Sequence, residues 1–227
     1  MGEKGKQATF AAAAAAAVVS GASSSEVELD PAVQAVTSWR FGDSREPLTA
    51  LADLVKASKN TRSKLLALER QFAEALQSDA TYECKDFICR QLWIVGTKVS
   101  VPALAPMLAD EMYSDMARYA LERNPAPEAG KALRDALGQT SGKALVGVIN
   151  SLGERRDRMS VLALEKIVAG TDEDAAAAAA SALGKIGGAK ATTVLARAKQ
   201  TGAPKVRDAA TVALAVMSGK PAPRAKK

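Results

Sequence analysis

The sequence predicts an all-α fold, a short solenoid of paired helices, and three observations carry that prediction. Leu121, Leu152, Leu183 and Leu214 follow one another at intervals of 31 residues, and Leu92 stands 29 residues before Leu121. A second series, Leu104, Leu133, Leu164 and Leu195, recurs at 29, 31 and 31 in different apolar blocks. Hydrophobic residues make up 48% of the chain but aromatic residues only 4%. The apolar content is therefore mostly Ala, Leu and Val, which suits close-packed helices better than a β-sandwich. Self-similarity at a fixed period marks a repeat architecture. Two apolar registers per period give each unit two amphipathic segments of about 10–14 residues joined by short turns.

Residues 1–25 leave two readings open. Lys4 and Lys6 precede an apolar run from Phe10 to Val19 and then Ser20-Gly21-Ala22. That order matches a secretory signal cleaved after Ala22 and tilts the expected location towards export to a periplasm. The run is almost all alanine, however, and also suits a plain Ala-rich extension. Residues 26–78 read as an irregular helical section that caps the stack. Asp30-Pro31 is an N-cap followed by a first-turn proline, Ser44 and Pro47 open a helix to about Ala57, and Asn60 opens one to Leu76. Trp39, Phe41 and Phe72 are expected to cover the open end, because a terminal repeat has no neighbour to bury its face.

Residues 79–218 hold the repeats, and their second helices can be read by column. Four residues before the marker leucines stand Ile88, Ala117, Val148, Ala179 and Ala210; eight before stand Cys84, Tyr113, Ala144, Ala175 and Val206. These share one helical face with the leucines and are the expected core. Turns are expected at Gly96, Asn124-Pro125, Gly138, Gly153, Gly170, Gly187-Gly188 and Gly202. The acidic run Asp172-Glu173-Asp174 reads as a helix N-cap. Residues 219–227 form a basic tail.

Residues Thr171 to Leu195 read TDEDAAAAAASALGKIGGAKATTVL. This segment resembles a HEAT-like repeat of the short, roughly 30-residue class first associated with phycobilisome lyases. The resemblance rests on Asp172, Asp174, Ala182, Leu183, Gly184, Ile186, Gly187 and Leu195, and the Val-Arg pair of the pattern appears in the last unit as Val206-Arg207. It extends more loosely over residues 80–218 and implies a right-handed α-solenoid of antiparallel helix pairs. It also implies two functions to weigh against a scaffold, a chromophore-lyase-like activity and binding to a nucleic-acid backbone.

The residues themselves argue against both alternatives. The chain has no histidine, which removes Ser-His and Cys-His nucleophilic pairs and most catalytic zinc or iron sites. No carboxylate pair stands out, so no enzyme activity, cofactor or metal is expected. Of the net charge of +6, the tail from Gly219 supplies +4 and residues 1–25 supply +1. In residues 26–218, 25 basic residues face 24 acidic ones, without the cationic excess that a phosphate backbone requires. Arg155, Arg156 and Arg158 are interrupted by Glu154 and Asp157 and read as a solvated turn. Cys84 and Cys89, five apart, would sit about 8–9 Å apart on a helix, beyond the ~7 Å reach of a disulfide; both read as packing residues. No run of 18 apolar residues exists outside the N-terminal segment, so the body is not expected to span a membrane.

The expected function is a non-enzymatic, monomeric scaffold whose partner is another protein. Second helices usually line the concave side of such a stack. The column two residues before each marker leucine, Arg90, Tyr119, Asn150 and Ser181, should be exposed there, joined about one turn earlier by Asp86 and Met116. Arg and Tyr are common interface anchors, and methionines are adaptable contacts.

Overall fold

The computed structural model describes residues 29–219; the segments read as a signal or Ala-rich extension and as a basic tail lie outside them, apart from Gly219. Twelve α-helices and one 3-10 turn account for the regular structure, with no strand among the described residues. Helices α1 (Pro31–Val36), α2 (Glu46–Ser58) and α3 (Arg62–Gln77) open the chain. The repeats follow as α4 (Tyr82–Val95), α5 (Val101–Met107), α6 (Ser114–Arg123), α7 (Pro127–Ala136) and α8 (Gly142–Glu154). Past a 3-10 turn at Arg158–Ser160 come α9 (Val161–Val168), α10 (Glu173–Ile186), α11 (Ala189–Thr201) and α12 (Pro204–Met217). No described helix is long and apolar enough to cross a membrane.

The helices start where their caps direct. Asp30 accepts the Ala32 amide at 2.9 Å ahead of Pro31, Thr81 accepts from Cys84 at 3.2 Å, and Asp172 accepts from Asp174 and Ala175 at 3.0 Å. The N-terminal section is tied to the repeats by polar contacts, with Thr81 Oγ1 donating to the Trp39 carbonyl at 2.6 Å. Among the described residues, Glu69 of α3 is the most deeply buried charged side chain. It accepts from the amide and hydroxyl of both Thr97 and Ser100 at 2.5 to 3.1 Å, which places a carboxylate at the N-terminus of α5, where the helix dipole favours it.

The helices pack in two rows. In one row α4, α6, α8, α10 and α12 succeed one another; in the other α3, α5 and α7 touch, as do α9 and α11, while α7 and α9 hardly meet. Most residues of the columns read from the sequence supply the core, while Tyr113 and Ala144 are only half-buried. Leu92, Leu121, Leu152 and Leu183 are buried, as are Leu104, Leu133, Leu164 and Leu195 of the second series. Cys84 and Cys89 are buried free thiols. The last marker, Leu214, is only partly covered, because no described helix packs beyond α12.

Two expectations fail. Phe41 is 90% exposed, so it does not cover the open end; Phe72 does enter the core, and Trp39 packs at its edge and donates its indole N–H to the Ser44 carbonyl. Gly153 lies inside α8 rather than in a turn. A Cβ on it would stand 2.9 Å from Ala182 Cα, and one on Gly184 would stand 2.6 Å from Ala213 Cβ. Both glycines exist to let neighbouring helices approach. The same face of α10 carries Ala176, Ala177 and Ala180, all buried, whereas the positions 31 residues later on α12 are Arg207, Asp208 and Thr211. This exchange of alanine for polar residues closes the stack against water.

Candidate protein-binding face

The second-helix row places the six expected contact residues in two groups, five of them at the surface and Met116 beneath it. Asp86 and Arg90 of α4 face Met116 and Tyr119 of α6 across a hollow of about 250 Å³, which Tyr82 and Asp115 complete. Arg90 Nε donates to Asp86 at 2.8 Å, an exposed i,i+4 pair, and that bond holds the guanidinium above its ordinary pKa. Asn150 of α8 and Ser181 of α10 lie instead along a second hollow of about 590 Å³, with Lys143, Val146, Asp174 and Lys205. The Ser181 hydroxyl donates to Ala177 of its own helix at 3.0 Å, so its hydrogen-bonding capacity is partly spent.

One expectation needs correcting. Met116 is only 5% exposed and forms the floor of the first hollow rather than a free side chain. It stands five residues before Leu121, on the shoulder of the buried face, where a neighbour's long side chain decides coverage. The same shoulder in the next repeat is Gly147, over which Arg118 lies so closely that a Cβ would stand 2.5 Å from its Cζ.

Apart from Tyr119, the register missed the aromatic residues around the first hollow. Trp93 and Tyr119 stack at 5.5 Å between ring centroids, 11° apart, and the guanidinium of Arg123 sits 4.6 Å from the Trp93 ring. Tyr82 and Tyr113 stack at 6.0 Å, with Lys85 Nζ 5.2 Å from the Tyr113 ring. Cations over aromatic faces and offset stacks are each favourable by about 0.5–1.5 kcal/mol. The available signal was composition: five of the chain's nine aromatic residues, Tyr82, Phe87, Trp93, Tyr113 and Tyr119, fall within residues 82–119. Trp93 also breaks a column, since the residue after the marker leucine is glycine at 153 and 184.

Residues 130–215, from within α7 to α12, match the sequence profile of a family described as HEAT repeats. That stretch of the chain is built of HEAT-like repeats. No curated protein matches the chain. The HEAT match carries the hollow of Asn150 and Ser181 within its bounds, while Asp86, Arg90, Met116 and Tyr119 precede it on helices that continue the same row. Between HEAT units, polar contacts recur near the repeat spacing: Lys185 Nζ to Glu154 at 2.5 Å, Arg197 to Glu165 at 3.0 Å, and Lys205 to Asp174. Such exposed pairs fix the register of adjacent units more than they add stability.

Proposed function

We propose that the chain is a non-enzymatic protein-binding scaffold whose partner docks on the second-helix row, centred on the hollow between α4 and α6. The observation that carries this reading is the concentration of aromatic residues there, in two stacked pairs flanked by Arg90 and Arg123. Tyr, Trp and Arg dominate binding energy at protein interfaces, because they bury much area with few rotatable bonds and keep a polar end. Tyr82 and Tyr119 are 47% and 42% exposed, so their rings have area left to bury. Stacking against Tyr113 and Trp93 holds them in place before a partner arrives, which lowers the ordering cost of association. The absence of histidine from the sequence supports a non-enzymatic role.

The test is affinity capture from the native extract with the chain from Glu26 onward, quantified by mass spectrometry against a variant carrying R90A and Y119A. A stoichiometric protein retained by the parent and lost from the variant, with unchanged helical circular dichroism in both, is the expected result. Retention of the same protein by both would remove this face from the binding surface. Truncating two central anchors should weaken binding by about 2–4 kcal/mol.

A further inference from the structure

A second surface, separate from the α4–α6 hollow and independent of the reading given to it, lies on the turn between α8 and α9. In sequence its arginines look neutralised by the acids between and beside them, but the structure engages those acids elsewhere. Asp157 is held by Arg134 of α7 at 2.8 Å, and Glu154 by Lys185 of α10 at 2.5 Å. Glu165, the one acid on α9, is shared between Lys190 and Arg197 of α11 at 2.9 and 3.0 Å. Arg155 is half-buried, and its guanidinium is turned inward onto the carbonyls of Leu121 and Asn124. Arg156, Arg158 and Lys166 are left exposed, with no ion pair among the described residues.

Two further observations single out this patch. Met159 and Leu162 are 74% and 65% exposed between Arg158 and Lys166. Spacings of three and four residues set Arg158, Met159, Leu162 and Lys166 on one helical face. Arg156 has φ of 51°, a conformation that costs a bulky L-residue about 1–2 kcal/mol. It occupies the residue after the C-cap, donating to the Gly153 carbonyl at 2.9 Å while Asp157 donates to Leu152 at 3.0 Å, where glycine is the favoured choice. At the end of α10, 31 residues later, the positive φ of 73° falls on a glycine, Gly187, which is the C-cap itself. An exposed, unpaired arginine kept in a glycine conformation points to use of its side chain, since strain retained against an available alternative marks a functional position.

We propose that Arg156, Arg158, Met159, Leu162 and Lys166 form a docking site for an acidic segment of another protein that also carries one or two apolar side chains. Charge complementarity selects an anion. The exposed methionine and leucine between the cations select a protein segment over a phosphate backbone, which has nothing to place on them. A symmetrical pairing of two copies would set these cations against one another, which excludes a second copy placed that way.

Random displayed peptides of about 16 residues, long enough for an extended or helical segment, are selected on the full chain. The enriched sequences are then synthesised and titrated by fluorescence anisotropy at low and high salt. Enrichment of acidic peptides with apolar anchors is expected. R156G/R158S and M159S/L162S should each weaken their binding about tenfold or more. R156G alone should melt at or above the parent temperature, because it relieves the strained φ. The proposal is overturned by failure to enrich any peptide, by enriched peptides without acidic residues, or by equal binding to the variants. It is also overturned by a lower melting temperature for R156G, which would make Arg156 structural. Single- or double-stranded DNA oligonucleotides that displace the peptides and bind more tightly through the same arginines would reassign the patch to phosphate.

Discussion

At the residue scale, the two thiols give a prediction whose sign follows from burial. Both lie on α4 with no exposed surface. Burial pushes the Cys84 thiol up to about 11, Lys85 opposing, and the Cys89 thiol up to about 12, helped by Asp86 and by Cys84 itself. A thiol raised from 9.0 keeps its proton longer in the folded chain than in the unfolded one. Its contribution is therefore complete below pH 9 and is lost as pH rises towards 11 and 12. Each thiol adds a slope of at most about 1.4 kcal/mol per pH unit across that window. Urea unfolding from pH 8 to 11 should show the parent losing stability faster than a C84A/C89A protein. Parallel curves would mean that the thiols are not desolvated as their positions require. These positions were legible in the sequence because Cys84 stands in a column of packing residues. Exposure of Arg90, Tyr119, Asn150 and Ser181 was legible for the same reason. Met116 was not, because shoulder positions such as Gly147, which Arg118 overlies, are covered or bared by side chains from a neighbouring repeat, and spacing within one helix carries no record of them.

At the element scale, the spacing of the second helices is set by glycine and alanine. Introducing valine at Gly184 would drive side-chain atoms into Ala213, whose Cβ already lies 2.6 Å from where a glycine-replacing Cβ must stand. Overpacking of this kind costs about 1–3 kcal/mol, and G184A should show the lower part of that range. Adding A213G to G184A should restore most of the loss, a coupling measured by a double-mutant cycle in guanidinium. Additive losses would mean that α10 and α12 separate freely and that the close approach is not what Gly184 serves. The same residues explain why the sequence reading placed a turn at Gly153. Glycine before a charged run is the usual sign of a helix end, and a contact glycine one turn earlier looks the same in one dimension. Most helix starts were readable, since Asp30, Thr81 and Asp172 are chemical caps; the length of α8 was not, because the residue that ends it is the strained Arg156.

At the scale of the whole molecule, the repeat array is not uniform, and its weakest joint falls at α8. The core divides there: Val148 and Leu152 belong to the N-terminal cluster and Ile149 to the C-terminal one. Between α6 and α8 polar contacts are added to the apolar packing of Val148 and Leu152. Ser151 donates to Glu122 at 2.7 Å, Arg118 reaches the Gly147 carbonyl at 3.3 Å, and Arg155 closes the C-terminal end of α6 by donating to Leu121 and Asn124 at 2.6 Å each. The first-helix row is interrupted at the same place, where α7 and α9 hardly touch. The two sides also differ in composition. Leu51, Phe72, Ile88, Leu92, Leu104 and Leu108 fill the N-terminal core, whereas nine alanines dominate the C-terminal one. An alanine buries far less apolar area than a leucine, at about 25 cal/mol per Å² removed from water. In a nearest-neighbour array, the C-terminal units therefore depend on the joint for part of their stability. R155A leaves the α6 carbonyls without their donor, a loss of about 2–3 kcal/mol concentrated at that joint. Hydrogen exchange read by mass spectrometry across a urea series should show parent peptides from α4 and α10 losing protection together. In R155A, peptides from α9 to α12 should lose it at lower urea than those from α2 to α6. If both halves of R155A still open together, the interface is carried by Val148, Ile149 and Leu152 alone, and the polar contacts between α6 and α8 do not couple the two cores.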